Sequence, residues 1–304
     1  MNVAALVLLW AARAFGEGGA ADLGTSAVPF LTLGAGARAA AMGQAAVALG
    51  DDATALYWNP AGLALAPGRT IVLSHAAFLD SNRLEYAAFS HPLGAWGGVG
   101  AGFQYFWAPA LTETDATGVQ LGSFRPHDLA AGIGYGLTLR GWSLGASVKV
   151  IRSQVAAGDA TGAVDFGLLS PLLWNERLRL GLSVLNMGGE LNYGTKSFGL
   201  PLRLKAGAAF RPGPRWLLIF DGTLPKDGEP FAATGLEYLW LSGSSAALAL
   251  RAGFNSQTVG HVSGFASPSF GFGFSKSLLS FDYAVIPYGS LGLAHEFSMR
   301  ARWQ

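Results

Sequence analysis

The sequence predicts an all-β fold: a transmembrane antiparallel β-barrel of about fourteen strands, with an N-terminal segment plugging it. Three observations carry that reading. Bulky apolar residues alternate with small or polar ones along short segments that recur almost to the C-terminus. The chain is 51% hydrophobic and 13% charged, and its mean hydropathy of +0.34 is high for a water-soluble domain. Finally, outside the N-terminus no uninterrupted apolar run approaches the ~20 residues that a spanning helix needs. A membrane chain without such helices must satisfy its backbone between strands, and only a closed barrel does so. The 43 glycines and 12% aromatic residues also suit strands better than helices.

Taken in order, residues 1–20 read as a Sec-type signal peptide, with an apolar run from Val3 to Ala12 and mostly small residues from Gly16 to Ala21, broken by Glu17. Arg13 follows the apolar run, where such signals ordinarily place their basic residue before it. Residues 21–66 lack alternation and are rich in alanine and glycine, so they are assigned to a hatch or plug; residues 67–304 are the barrel. In the barrel, Val99, Ala101, Phe103, Tyr105 and Trp107 alternate with Gly98, Gly100, Gly102 and Gln104. The same pattern returns over Leu129–Leu139, Trp142–Val150, Leu178–Val184 and Leu202–Phe210. Less regular strands are expected near 71–78, 84–90, 163–169, 216–222, 232–240, 246–254, 263–275, 279–286 and 291–303.

Connection lengths add independent support. His91–Gly94, Arg140–Gly141, Pro171–Glu176, Arg211–Pro214, Leu241–Ser244 and Lys276–Ser277 are short and turn-like, whereas Ala108–Phe124 and Met187–Gly199 are long. That rhythm is expected of an outer-membrane barrel with tight periplasmic turns and longer outer loops.

The two faces divide the chemistry. The bulky parity faces lipid, where an Arg or Lys near the midplane would cost about 2–4 kcal/mol. The regular charges take the other parity: Lys149, Asp165, Arg177, Arg179, Arg203, Lys205, Glu237, Arg251 and Asp282 are assigned to the lumen. Their basic excess could draw in an anion, but a mutually paired network is the preferred reading. Tyr105, Trp107, Trp142 and Trp240 are expected as anchors at the membrane interfaces.

A lumen wall built from Gly98, Gly100, Gly102, Gly132, Gly134, Gly136 and Gly145 leaves space that the plug can fill. The small residues of Ala35–Ala48 are expected to pack there as a short helix, with Pro60 ending any helical run. Asn59 can satisfy exposed backbone as a cap, or Asn59-Pro60 can simply be a turn before the first strand.

The plug also carries a resemblance. It reads Gly-Thr-Ser-Ala-Val-Pro-Phe-Leu from Gly24, continues through Leu33–Ala39, Met42–Ala45 and Asp51–Ala55, and closes on Leu-Tyr-Trp-Asn-Pro-Ala-Gly-Leu from Leu56 to Leu63. This block resembles the opening of the PorV/PorQ family, itself similar to the FadL-type barrels, in which an Asn-Pro-Ala-Gly motif lies in an N-terminal hatch. The resemblance extends to Ala163–Leu169, Gly181–Asn186 and the ending Leu291–Ser298, where aromatic Trp303 is followed by Gln304. It implies that Asn59, Pro60, Ala61 and Gly62, together with Arg38, mark the hatch.

Other motifs lack the context their chemistry needs. Gly141-Trp142-Ser143-Leu144-Gly145 matches a nucleophile elbow but begins a strand instead of bridging strand to helix. Gly34–Ala39 has the glycines of a dinucleotide loop without a following βαβ unit. The five histidines, His75, His91, His127, His261 and His295, have no metal-ligand spacing, and cysteine is absent. No catalytic residue, metal or cofactor is expected, and a net charge of +1 gives no reason to expect nucleic acid.

For function, the resemblance implies a non-enzymatic outer-membrane accessory of protein secretion of the type IX kind. Its partners would be outer-membrane lipid and a translocon or exported proteins, bound through Ala108–Phe124, Met187–Gly199 and Asn255–His261. The alternative is a FadL-like transporter for hydrophobic small molecules, which would need a continuous apolar lumen with a lateral opening.

Overall fold

The computed structural model describes residues 25–155, 158–242, 246–259 and 262–304; the expected signal peptide lies outside them. From Arg69 onward the chain is a closed barrel. Its first strands are β1 (Arg69–Ala77), β2 (Arg83–Pro92) and β3 (Gly98–Trp107). A small hairpin, β4 (Leu111–Thr114) with β5 (Gln120–Phe124), then leaves the wall before β6 (His127–Leu139), β7 (Trp142–Gln154), β8 (Gly158–Leu169) and β9 (Leu178–Gly188). A second hairpin, β10 (Glu190–Tyr193) with β11 (Lys196–Gly199), precedes β12 (Arg203–Gly213), β13 (Trp216–Pro225), β14 (Phe231–Ser242) and β15 (Ala246–Asn255). The wall ends with β16 (Pro268–Lys276), β17 (Leu279–Pro287) and β18 (Leu293–Trp303).

Setting aside the two hairpins, fourteen strands form the barrel, each antiparallel to its chain neighbours, and β1 closes it on β18 from Arg69↔Trp303 to Ala77↔His295. This is the fold class that alternation and connection length predict. No helix among the described residues is long and apolar enough to cross a membrane. The spanning is done by strands, which closure leaves without an exposed edge.

Why the wall forms is visible strand by strand. Along β7, Trp142, Leu144, Val148 and Val150 are exposed on the outer face, while Ser143, Ser147, Ile151 and Ser153 are buried against the interior. Phe270, Phe272 and Phe274 of β16 and Phe281 of β17 extend the outer apolar belt. Water would not tolerate such a belt, and a bilayer core does. Arg140 and Gly141 close β6 on β7 with both residues at positive φ (51° and 85°), the backbone of a two-residue hairpin matched to strand twist. Trp96, Trp142, Trp174, Trp216 and Trp240 are all exposed toward this short-turn end of the barrel. Their amphipathic rings suit a membrane interface.

Several strands run further than their alternation suggests. β7 continues to Gln154 and β8 begins at Gly158 rather than near Ala163. Beyond the apolar belt both faces meet water, so the pairing persists after the two-faced pattern fades. The long connections are also not featureless loops, because each holds one of the two hairpins. One seam carries an irregularity: between Val164 and Phe166 the register of β8 on β9 shifts, and Asn186 in the bulge has φ 62°.

The plug occupies the lumen as a chain of short turns. These are a 3-10 turn at Pro29–Thr32, a helix at Ala37–Ala41, a second helix at Ala55–Trp58 and a 3-10 turn at Pro60–Leu65. The expected helix over Ala35–Ala48 is therefore cut to five residues. Gly43 and Gln44 turn left-handed, with φ of 68° and 64°. The peptide there also bonds to the wall: Gly43 N donates to Ser269 Oγ as well as to Ala40 O, and Asn255 Nδ2 donates to Gly43 O.

Candidate functional site: the plug and its charged seat

The plug is seated by two features: an amide latch and a chain of ion pairs. The latch is built on Asn59. Helix Ala55–Trp58 ends because Pro60 has no N–H and its ring disfavours a helical residue before it. Asn59 accordingly turns extended, with φ −164° and ψ 102°. Its Oδ1 accepts the N–H of Ala61 at 3.1 Å, which starts the next turn. Its Nδ2 donates to Val47 O at 2.8 Å within the plug and reaches Leu168 O of β8 and Leu182 O of β9 at 3.2 and 3.3 Å. Asn59 is fully buried, as is Ala61. The wall admits them because Gly167 has no side chain: a Cβ there would clash with the Asn59 amide oxygen. Gly62 completes the motif by lying against Gly50, where a Cβ would come 2.7 Å from the Gly50 Cα.

The charged seat begins with Arg38 on the first plug helix. Its Nη1 bonds Asp51 at 2.8 Å, and its Nε and Nη2 grip both oxygens of Glu237 on β14 at 2.8 and 2.9 Å. Glu237 also receives Arg251 Nε from β15 at 2.8 Å, and Arg251 Nη1 bonds Asp282 of β17 at 2.7 Å. Beside this chain, Arg300 of β18 pairs with Asp52 at 3.0 Å. Burial by itself would raise the Asp51 carboxyl, but the Arg38 guanidinium outweighs it and holds Asp51 well below the usual carboxylate range. Two further pairs line the lumen, one on β7 and β8 across the barrel and one on β12 and β13 beside the seat. Lys149 bonds Asp165 at 2.9 Å and Asn186 Oδ1 at 2.6 Å, where the β9 bulge turns the Asn186 N–H onto Asp165 at 2.7 Å. Lys205 lies 3.6 Å from Asp221, which accepts the plug N–H groups of Ala46 and Val47, and 4.9 Å above the Trp58 ring.

Of the charges assigned to the lumen by parity, Lys149, Asp165, Lys205, Glu237, Arg251 and Asp282 thus lie in ion pairs on the inner wall. Arg203 donates to Thr32 O of the plug at 3.3 Å and lies over the Phe231 ring. Arg179 is partly buried, and its Nε has no hydrogen-bond partner among the described residues. Arg177 is different. It precedes β9 and is exposed in the turn, because strand pairing begins only at Leu178. Sequence reasoning passed over Asp221 and Arg300, and placed Asp51 and Asp52 in the plug without giving them a partner. Asp221 takes the inward parity of a strand whose alternation is otherwise irregular, so parity alone could have flagged it. The plug acids had no periodic frame to place them.

The nucleophile-elbow stretch and the histidines find other settings. Ser143 of the Gly-Trp-Ser-Leu-Gly stretch is buried and hydrogen-bonded to Thr138 Oγ1 at 2.9 Å. His75 bonds Glu85, and His295 bonds Tyr283. His261 lies outside the described residues.

At the long-connection end, the β4–β5 hairpin exposes Leu111, Val119 and Leu121. Asp115 Oδ1 ties its tip by accepting the N–H groups of Thr117 and Val119. The β10–β11 hairpin instead leans inward: its Leu191 is buried with Phe30 and Leu31 of the plug, and Ala27 N donates to Gly199 O.

Comparison with known proteins gives a family and a set of structural neighbours. The model of the family described as "Type IX secretion system protein PorV" matches residues 20–212, more than half of the chain. Among solved structures, the Pseudomonas putida toluene transporter TodX is 15% identical with a TM-score of 0.61, covering 89% of this chain and 99% of that one. The Ralstonia pickettii toluene transporter TbuX is 13% identical with a TM-score of 0.60 over 89% and 99%. A Pseudomonas aeruginosa FadL homologue is 10% identical with a TM-score of 0.58 over 88% and 97%. At these identities the likeness is one of fold. No curated protein sequence matches significantly.

Proposed function

The chain belongs to the PorV family, and on that premise we propose that it is a non-enzymatic outer-membrane barrel serving protein secretion of the type IX kind, working as a binding component and not as a conduit. The observation that carries this reading is the closed wall around a latched plug. All fourteen seams are hydrogen-bonded among the described residues, and the plug is tied to β8, β9, β14 and β16 by side-chain bonds. A barrel so sealed presents its ends as its working surfaces. The short turns would face the periplasm and the two hairpins the exterior. The β4–β5 hairpin, with apolar side chains in the open, is the element best suited to grip an exported protein or a translocon.

The transporter reading draws on the FadL-type neighbours. It requires a greasy path through the lumen, whereas the inner wall carries paired charges, and the seams between β2, β3 and β6 are paired end to end. The experiment that tests the proposal is affinity capture of the chain from native outer membranes in mild detergent, followed by mass spectrometry. Recovery of a large translocon barrel or of exported proteins sharing a terminal domain supports it. A barrel recovered alone with a bound apolar compound would replace it with the transporter reading.

A further inference from the structure

The short-turn end of the barrel holds a cavity of about 280 Å³ between the plug and strands β12 to β18. Its charges do not balance. Three of its arginines, Arg38, Arg251 and Arg300, are held by carboxylates at 3.0 Å or less. Three others are not. Arg215 has no ion pair among the described residues, and the nearest carboxylate to Arg211 is Asp51 at 4.0 Å, already engaged by Arg38 at 2.8 Å. Arg302 gives one Nη to a backbone carbonyl, Asp51 O, and its buried Nε has no partner. Outside the lining, Arg179 has a buried Nε that is also unpartnered, and it stands close enough to Arg211 for the two to repel. Arg300 and Arg302 repel in the same way. The carboxylates lining the cavity, Asp51, Glu237 and Asp282, are all committed to Arg38 or Arg251.

Unpaired guanidiniums facing one another around a concave space lack a counter-charge that the protein itself does not supply. Their planar N–H forks fit the oxygens of a tetrahedral oxyanion in pairs, and a doubly charged group with several oxygens can engage several forks at once. We infer that this vestibule is a binding site for a phosphate-type oxyanion, with Arg211, Arg215 and Arg302 as its principal ligands. The site is reachable, since the Arg211 side chain is 46% exposed. The oxyanion has two possible sources: free phosphate, doubly charged above neutral pH, and the singly charged phosphodiester of a phospholipid headgroup.

The test is titration of the full barrel, purified in neutral detergent at low ionic strength, with inorganic phosphate by isothermal calorimetry. Saturable binding is expected, weakened at least tenfold in Arg211→Ala/Arg302→Ala and unchanged in Arg125→Ala, which lies at the opposite end. Arg211→Gln/Arg215→Gln, altering side chains at the cavity mouth, provides the same readout if the first variant folds poorly. Displacement of phosphate by micelles doped with phosphatidylglycerol assigns the site to a lipid headgroup. Phosphate binding that phosphatidylglycerol leaves untouched assigns it to the free ion. Absence of saturable binding, or equal affinity in wild type and both vestibule variants, overturns the inference. Because the assay needs no partner protein, it stands or falls apart from the secretion role.

Discussion

Asn59 has no solvent to fall back on. Its amide closes the plug onto itself through Val47 and Ala61 and onto the wall through two strand carbonyls. Replacing it with alanine strands buried donors and acceptors at about 1–3 kcal/mol, the desolvation penalty of unmet groups. Asn59→Ala is expected to keep the barrel and loosen the plug, read as faster protease cleavage between Thr25 and Gly68 with unchanged β-sheet circular dichroism. Arg38 answers to a different term. Removing it leaves Asp51 without its close partner and Glu237 with one arginine instead of two. Breaking a buried pair costs about 3–5 kcal/mol, less where water reaches one partner as it does Asp51. Arg38→Ala should therefore lower the unfolding midpoint in denaturant by more than Arg38→Lys. Lysine keeps the charge but cannot hold both Glu237 oxygens while reaching Asp51.

At the scale of the element, the plug and the outer hairpins behave oppositely. The plug is tied by charge, so its docking depends on pH in a direction the pairs dictate. Asp51 is depressed by Arg38, so its contribution is fully present above its unfolded value near pH ~4 and is lost as pH falls below that toward the lower folded value. Protection of the plug from proteolysis should decline as pH falls below about 4, where Asp51 is protonated. Protection that already declined between pH 8 and 6 would show that a group other than this carboxylate controls docking. The β4–β5 hairpin, by contrast, has every residue of β4 exposed and pairs with no wall strand. Replacing Ala108–Phe124 with a short glycine-serine turn is expected to leave heat-modifiable migration of the barrel intact while abolishing capture of its partner. Loss of the folded band in that variant would mean that the hairpin supports the wall.

For the whole molecule, stability comes from an outward apolar belt and an inward plug that share one set of strands. Val148→Arg, on the exposed face of β7, should cost about 2–4 kcal/mol in lipid, where water is unavailable to the guanidinium. Gly167→Val, one residue from the Asn59 contact at Leu168, should expel the latch without touching the outer face. Measured together by unfolding from lipid vesicles, the two separate insertion from plugging. The arginine should impair membrane assembly. The valine should permit assembly and leave the plug open to protease.

Much of this architecture was legible before any coordinates. A period of two assigns each residue of a strand to lipid or lumen, so Val148 and Lys149 could be placed on opposite faces from their neighbours alone. The short–long rhythm of connections gave the strands their up-and-down order. The Asn-Pro-Ala-Gly block marked a plug because its residue types are conformational: proline stops a helix and asparagine caps the next turn. What parity could not supply was partnership. Lys205 meets Asp221 across the β12–β13 hairpin, and Arg38 meets Glu237 across 199 residues, a meeting that only the docking of the plug against β14 brings about. Nor could it show that Ala35–Ala48 would break after Ala41, since the break answers to Ser269 and Asn255 on the facing wall. Local alternation and backbone stereochemistry act within a few residues and determined the wall. The seat of the plug, the charge left over at the vestibule and the bulge at Asn186 arise from packing between distant segments, and only the tertiary structure decided them.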